Sequence, residues 1–280
     1  MQAIAQTKLD ALNAQCAQMR IDLIRLLHKL QTGHPGGSLS ACEILSALYF
    51  EMAKVDQANP KWPERDRIIL TKGHAAPMLY MILAKRGFFP EADMDTLRQL
   101  GSHLQGHPCA KTTPGVELST GPLGIGVSAA VGMAMALRLD KNPATVYAVM
   151  GDGEINEGTV WEACMSASKF KLDNLVAIVD LNGVQLDGRC EEIMPMDDVP
   201  AKFGAFGFEV FRCDGHDIAD LCKTIGQAKA VSGKPSVILA RTVKGKGVSF
   251  MEGQSAWHGA PIGRPEFEQA MKDLGGEPDV

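Results

Sequence analysis

The pattern that most restricts this chain is an alternation, between about residues 65 and 245, of short apolar runs with segments of helical period. The runs 66–70, 145–150 (TVYAVM), 174–179 (NLVAIV), 208–212 and 236–242 have the length and apolarity of buried strands. Segments 75–86, 125–139, 159–170 and 218–232 between them read as helices. Strand and helix in turn predict an α/β fold, a mostly parallel sheet flanked by helices. Ahead of this block, Leu9, Leu12, Cys16, Met19, Leu23, Leu26, Leu27 and Leu30 recur at three and four, the period of an amphipathic helix over 4–30 that Gly33 ends. Ser40 is placed to cap a second helix through about Met52. Residues 101–126 are dense in Gly, Pro and Thr, show neither period and must be loop; a loop of that length inside a compact domain is usually functional.

Composition narrows the partners. The 280 residues are 45% hydrophobic and 22% charged, enough apolar surface for one large core or two modest ones and far from disorder. We expect one domain over residues 1–263, then a short tail, 264–280, with a single short helix. The net charge of −5 without a basic block leaves no footprint for nucleic acid or an anionic membrane. The longest apolar stretch, 127–137, is about half of what a spanning helix needs. The first residues lack the apolar centre of a secretion signal, so we expect a cytoplasmic protein. Seven scattered cysteines, none in a C-x-x-C pair, argue for reduced thiols rather than a disulfide framework or zinc ribbon.

The segment GDGEINEG, residues 151–158, falls directly after an apolar strand and before a helix, where open α/β sheets place ligands. Asp152 offers a carboxylate there, and its flanking glycines admit close approach of backbone to a ligand. One strand–helix unit later, DLNG offers Asn182 at the next strand end. Either segment alone reads as an ordinary Gly-rich turn. Together they make half of an oxygen site for a hard cation such as Mg²⁺, which takes its remaining oxygens from water or a phosphate, so the implied ligand is a metal diphosphate. Gly124, Gly126 and Ala129 also fit G-x-G-x-x-A, but a Pro/Thr-rich loop stands where a dinucleotide site needs a strand.

GDGEINEG followed by this Asn resembles the thiamine diphosphate signature, and its surroundings resemble transketolase: GHPGGSLS at 33–40, KGHAAPMLY at 72–80, GHP at 106–108, STGPLGIGVSAAVG at 119–132 and WHGAP at 257–261 occur in order. The similarity is to the amino-terminal, diphosphate-binding half of these enzymes and covers nearly the whole chain. The resemblance implies thiamine diphosphate and Mg²⁺, or Ca²⁺ or Mn²⁺ in its place. It makes Asp152, Asn182 and the Val184 carbonyl metal ligands and sets Gly153 against the diphosphate; Gly121, Leu123, His74, His258 and Asn182 also touch the cofactor. His34, His107 and His258 are implied to contact sugar hydroxyls, and with His74 they are the four histidines expected in the cleft, where imidazole serves proton movements near neutral pH. Glu157 and Glu162 correspond to acidic residues near the dimer interface implicated in linking two active sites, although both also read as solvated carboxylates at a helix start.

The same resemblance implies transfer of a two-carbon ketol unit between sugar phosphates, with the pyrimidine-binding domain, its activating glutamate and most phosphate-binding residues on another chain. The expected assembly is a heterotetramer with two copies of this chain and two of a transketolase carboxyl-terminal section. An α subunit of a 2-oxo acid dehydrogenase, a deoxyxylulose-phosphate synthase and a non-catalytic cofactor-binding module are the alternatives. The remaining motifs read blandly: His28 and His216 as structural, His103 without an assigned role, Trp62, Trp161 and Trp257 as packing, and KGKG at 244–247 as a flexible, solvated loop.

Overall fold

The computed structural model describes residues 4–278. The chain opens with α1 (Gln6–Leu30), α2 (Pro35–Ser40) and α3 (Cys42–Ala47), then runs through β1 (Arg67–Leu70) and α4 (Ala76–Arg86). A long loop leads to α5 (Ile125–Leu139), β2 (Val146–Gly151), α6 (Gly158–Lys169) and β3 (Leu175–Leu181). Next come α7 (Cys190–Ile193), α8 (Val199–Ala205), β4 (Glu209–Asp214), α9 (Ile218–Lys229), β5 (Ser236–Arg241) and α10 (Arg264–Asp273). The strands form one sheet in the order β1-β2-β3-β5-β4, every neighbouring pair parallel. That is the architecture the alternation predicts.

Because successive strand side chains point to opposite faces, each strand feeds two cores. Tyr147, Val149, Val176, Ile178 and Ile238 face the layer of α1, α3, α4 and α9, while Ala148, Met150, Ala177, Val179 and Leu239 face α5, α6 and α8. A fully buried Leu or Ile contributes about 1.5–3 kcal/mol relative to exposure, so both layers hold the sheet firmly. Phe267, Ala270 and Met271 of α10 are buried in the first layer, and His28 of α1 stacks on Phe267 with ring centroids 4.3 Å apart. The carboxyl-terminal helix is thereby fastened to α1.

Two local expectations change. Helix does run to Met52, through α3 and a π-helix over Leu48–Met52, but Ser40 does not cap it: helix begins at Pro35, where a proline in the first turn gives up no needed N–H, and Ser40 ends α2. The Ser40 hydroxyl is taken instead by the buried Asp180 carboxylate, at 2.6 Å. α1 closes at Gln31 rather than Gly33. Gly33 has φ +122°, and a Cβ there would lie 2.5 Å from Leu27 Cδ2, so glycine lets the chain turn tightly against α1. Among the described residues no helix is long and apolar enough to cross a membrane.

Candidate active site

The parallel register sets Gly151 of β2 opposite Asp180 of β3, so the residues just beyond both strands meet. Asp152 is buried, and its Oδ1 accepts the Gly153 N–H at 2.9 Å while Oδ2 accepts the Gly183 N–H. Asn182 Oδ1 accepts from Val184 N at 3.1 Å, which folds the DLNG turn beneath Asp152. No cationic side chain pairs with Asp152 among the described residues. Burial, then the nearby Asp180 charge, pushes its carboxyl up to about 6. Gly153 fits because nothing larger would: a Cβ would stand 2.8 Å from Gln185 Cβ.

Asp152, Asn182, Val184, Gly153, Gly121, Leu123 and the four expected histidines all line one cavity of about 340 Å³. His34 comes from the loop before α2, His74 from the turn after β1, His107 from the long loop and His258 from the segment after β5. Their rings cluster, with His34 5.6 Å from His74, 6.3 Å from His107 and 5.5 Å from His258, and His74 4.7 Å from His258 between centroids. Burial is the leading cause that lowers all four. His34 falls to about 4 with help from Arg98, His107 and Lys244; His258 also falls to about 4, through Lys244; His74 falls to about 2, through Lys72. His107 is lowered by burial and then by Arg98. Each ring is therefore neutral at pH 7 and offers one donor and one acceptor.

The other histidines lie elsewhere. His28 Nδ1 meets Ile262 O at 2.8 Å, His103 meets Asp93 at 3.1 Å, and His216 Nδ1 meets Glu43 at 2.9 Å. Trp161 packs against Phe203 and Phe206, and Trp257 against Phe250. Glu157 is not brought to the cavity: it is exposed at the amino end of α6, and Glu162 is exposed one turn further on. The cysteines are unpaired.

The solvated-loop reading of KGKG is wrong for its first residue. Lys244 is only 2% exposed and donates to Val184 O at 3.1 Å, Gln185 O at 3.0 Å and His258 Nδ1 at 3.0 Å. Its loop is fixed because Val243 N donates to His216 Nε2, which leaves Nδ1–H of that ring to donate to Glu43, itself gripped by Arg20 at 2.6 and 2.7 Å. With no carboxylate partner, burial lowers the Lys244 ammonium to about 8. Sequence reasoning also missed a buried frame behind the cavity. Lys72 and Asp180 form an ion pair at 1% and 0% exposure, with Lys72 Nζ also donating to Gly37 O at 2.9 Å and Asp180 accepting from Thr242 Oγ1. Glu154 accepts from Gly124 N at 2.8 Å, Thr71 Oγ1 at 2.8 Å and Gly151 N at 3.2 Å, stapling TGPLG to the GDG turn. Lys72, Asp180 and Glu154 stand inside the segments KGHAAPMLY, DLNG and GDGEINEG, and that adjacency was the available signal.

This donor set fits a cation and a diphosphate. Among the described residues Asp152 is a buried carboxylate in no direct ion pair, Lys244 a buried cation in none, and Gln185 Nε2 a buried donor with no partner, all lining one cavity. The chain matches, over residues 12–280, the family described as transketolase, thiamine diphosphate binding domain, and it belongs to that family. It is 47% identical over 246 residues to the 6-deoxy-6-sulfo-D-fructose transketolase subunit SqwG of Clostridium sp. (strain MSTE9), covering 88% of this chain and 90% of that one. It is 39% identical over 267 residues to one of the subunits of the apulose-4-phosphate transketolase of Phocaeicola vulgatus, covering 95% of each. Among solved structures, the transketolase from Leishmania mexicana superposes with a TM-score of 0.89 at 31% identity, over 96% of this chain and 42% of that one. The transketolase from Campylobacter jejuni gives 0.85 at 37%, over 95% and 44%. The chain thus spans less than half of these solved transketolase chains and nearly all of the two related subunits.

Proposed function

We propose that this chain is the diphosphate- and Mg²⁺-binding subunit of a two-subunit transketolase, which moves a two-carbon ketol unit from a ketose to an aldose. The observation that carries the reading is the convergence of four neutral histidines, from four separate segments, on the cavity that also holds Asp152, Asn182 and the Val184 carbonyl. Bound thiamine diphosphate supplies an electron sink for the charge left when the carbon–carbon bond of the ketose breaks. Asp152, Asn182 and Val184 O hold the metal; Lys244, Gln185 Nε2 and the backbone at Gly153 and Gly121 receive the diphosphate; Leu123 supplies apolar contact. His74 and His258 stand beside the cofactor. His258 accepts at Nδ1 from Lys244, so its proton lies on Nε2, free to donate to a substrate oxygen. His34 and His107 take the sugar hydroxyls. Neutral rings suit this work, because they can pass a hydroxyl proton in either direction near pH 7.

Relatives of matching length whose names mark them as subunits support a partner that carries the pyrimidine-binding domain. The exposed apolar side chains Ile125 and Leu139 of α5, Met165 of α6 and Phe170 just past it support assembly, for which we take two copies of each subunit. The names of those two relatives carry a sulfo or a phosphate group, which supports our assignment of a sugar with a charged terminal group to this chain. Unpaired thiols favour a reducing compartment, the cytoplasm. Reconstitution tests the reading: with thiamine diphosphate and Mg²⁺, ketol transfer requires both this chain and a pyrimidine-domain partner. Transfer by this chain alone, or none by the pair with any phosphorylated or sulfonated ketose, refutes it.

A further inference from the structure

Arg98 carries a guanidinium to His34 on the cavity wall, and among the described residues no carboxylate pairs with it. Its Nη1 donates to Thr32 Oγ1 at 3.0 Å, and its Nη2 lies 3.3 Å from both His34 Nδ1 and Gly106 O. The loop that presents it is built rather than slack. Leu97 and Leu104 on either side are buried, Arg98 N donates to Leu104 O at 2.9 Å, and Arg98 has φ +63°, in the left-handed region that favours glycine. Lys141 and Lys171 take the same conformation just past α5 and α6, so what distinguishes Arg98 is its contact with a cavity histidine.

A guanidinium has five N–H donors and no acceptor, so the contact with His34 Nδ1 requires a free lone pair on that nitrogen. The ring's one proton is then on Nε2. That nitrogen lies on the side of the ring facing Gly259, where a Cβ would come within 3.3 Å of it. We propose that Arg98 is a positioning residue for the transfer reaction: it grips His34 by Nδ1 and so presents Nε2–H as the donor to the sugar oxygen. This inference rests on the transketolase reading for its substrate, though not for its geometry. The charged and titratable groups around His34 are Arg98, Lys244, His74, His107 and His258, and every one that carries charge opposes protonation of the ring.

The test is nitrogen NMR of the full chain with labelled histidine, the His34 signal being assigned by its loss in His34→Gln. Wild type shows a single Nε2–H tautomer that resists protonation until about pH 4. In Arg98→Met the tautomers mix and the midpoint rises by about one unit; Arg98→Lys, which keeps a charge and a donor, moves both back toward wild type. In the reconstituted enzyme Arg98→Met lowers kcat by about tenfold, leaves thiamine diphosphate affinity unchanged and shifts the acid limb of the pH profile with the NMR midpoint. A wild-type Nδ1–H tautomer, or an unaltered tautomer and midpoint in Arg98→Met, overturns the proposal. Lack of activity in the reconstituted wild type strikes at the transketolase reading instead, and the ring measurement still decides the role of Arg98.

Discussion

Replacing Lys72 by Met tests whether the frame behind the cavity is held by one buried charge pair. Lys72 Nζ bonds Asp180 Oδ2 and, at 2.9 Å, Gly37 O, joining the end of β1 to β3 and to α2. Methionine fills similar volume but leaves the Asp180 carboxylate fully buried with only the Ser40 and Thr242 hydroxyls. Removing one partner of a buried pair costs about 3–5 kcal/mol, because the remaining charge loses its compensation. For a chain of this size that is roughly 5–9 °C in melting temperature. The deficit depends on pH. In wild type Asp180 titrates below the usual carboxylate range, since Lys72 and the hydroxyl donors overcome burial, so its contribution is present above the unfolded-state value and lost only in acid. Without Lys72, burial raises Asp180, and the variant gains stability as the pH falls and the carboxyl takes up its proton. The gap between the two proteins is therefore widest near neutral pH and narrows toward about pH 4. Urea unfolding of both proteins across that range measures it. A double variant, Lys72→Met with Asp180→Leu, recovers most of the loss, because no isolated charge is left. A deficit under about 1 kcal/mol, or a double variant no better than the single, refutes the reasoning.

Two further outcomes follow from the cavity. With Asp152 at about 6, roughly one-tenth of the carboxyl is ionised at pH 5, so Mn²⁺ binding without diphosphate, followed by spin resonance, weakens about tenfold from pH 7 to pH 5; equal affinity at the two values removes Asp152 from the metal. Lys244→Met weakens thiamine diphosphate binding at pH 7 by about 10–100-fold, the worth of a hydrogen bond to a charged group. Wild-type binding falls as the pH rises through about 8 and the ammonium loses its proton, whereas the variant stays flat between pH 7 and 9 by calorimetry; a wild type that binds equally at both values contradicts a charged Lys244 at the diphosphate.

Much of this was legible in the sequence because it is local. The apolar runs that became β2 and β3 carry their own period and are closed by their own glycines, so Asp152 and Asn182 could be placed at neighbouring strand ends before any contact was known. The His34, His74, His107 and His258 loops were recognisable for the same reason, each in a short Gly- or Pro-marked segment. Glu157 was equally conspicuous in GDGEINEG, yet the helix start that follows it turns the side chain to solvent.

What the chain's order could not tell was the charge state and burial of its cations. Lys72 meets Asp180 across 108 positions, and Lys244 meets Val184 O across 60. KGKG looks the same whether solvated or sealed under a histidine, and only the docking of the loop after β5 against α2 made Lys244 a buried, carboxylate-free ammonium. Hydrophobic period is written residue by residue along the chain, whereas the protonation of a group is set by whatever surrounds it in space. The strand ends were thus fixed by the sequence pattern, and the electrostatics of the cavity between them by tertiary packing.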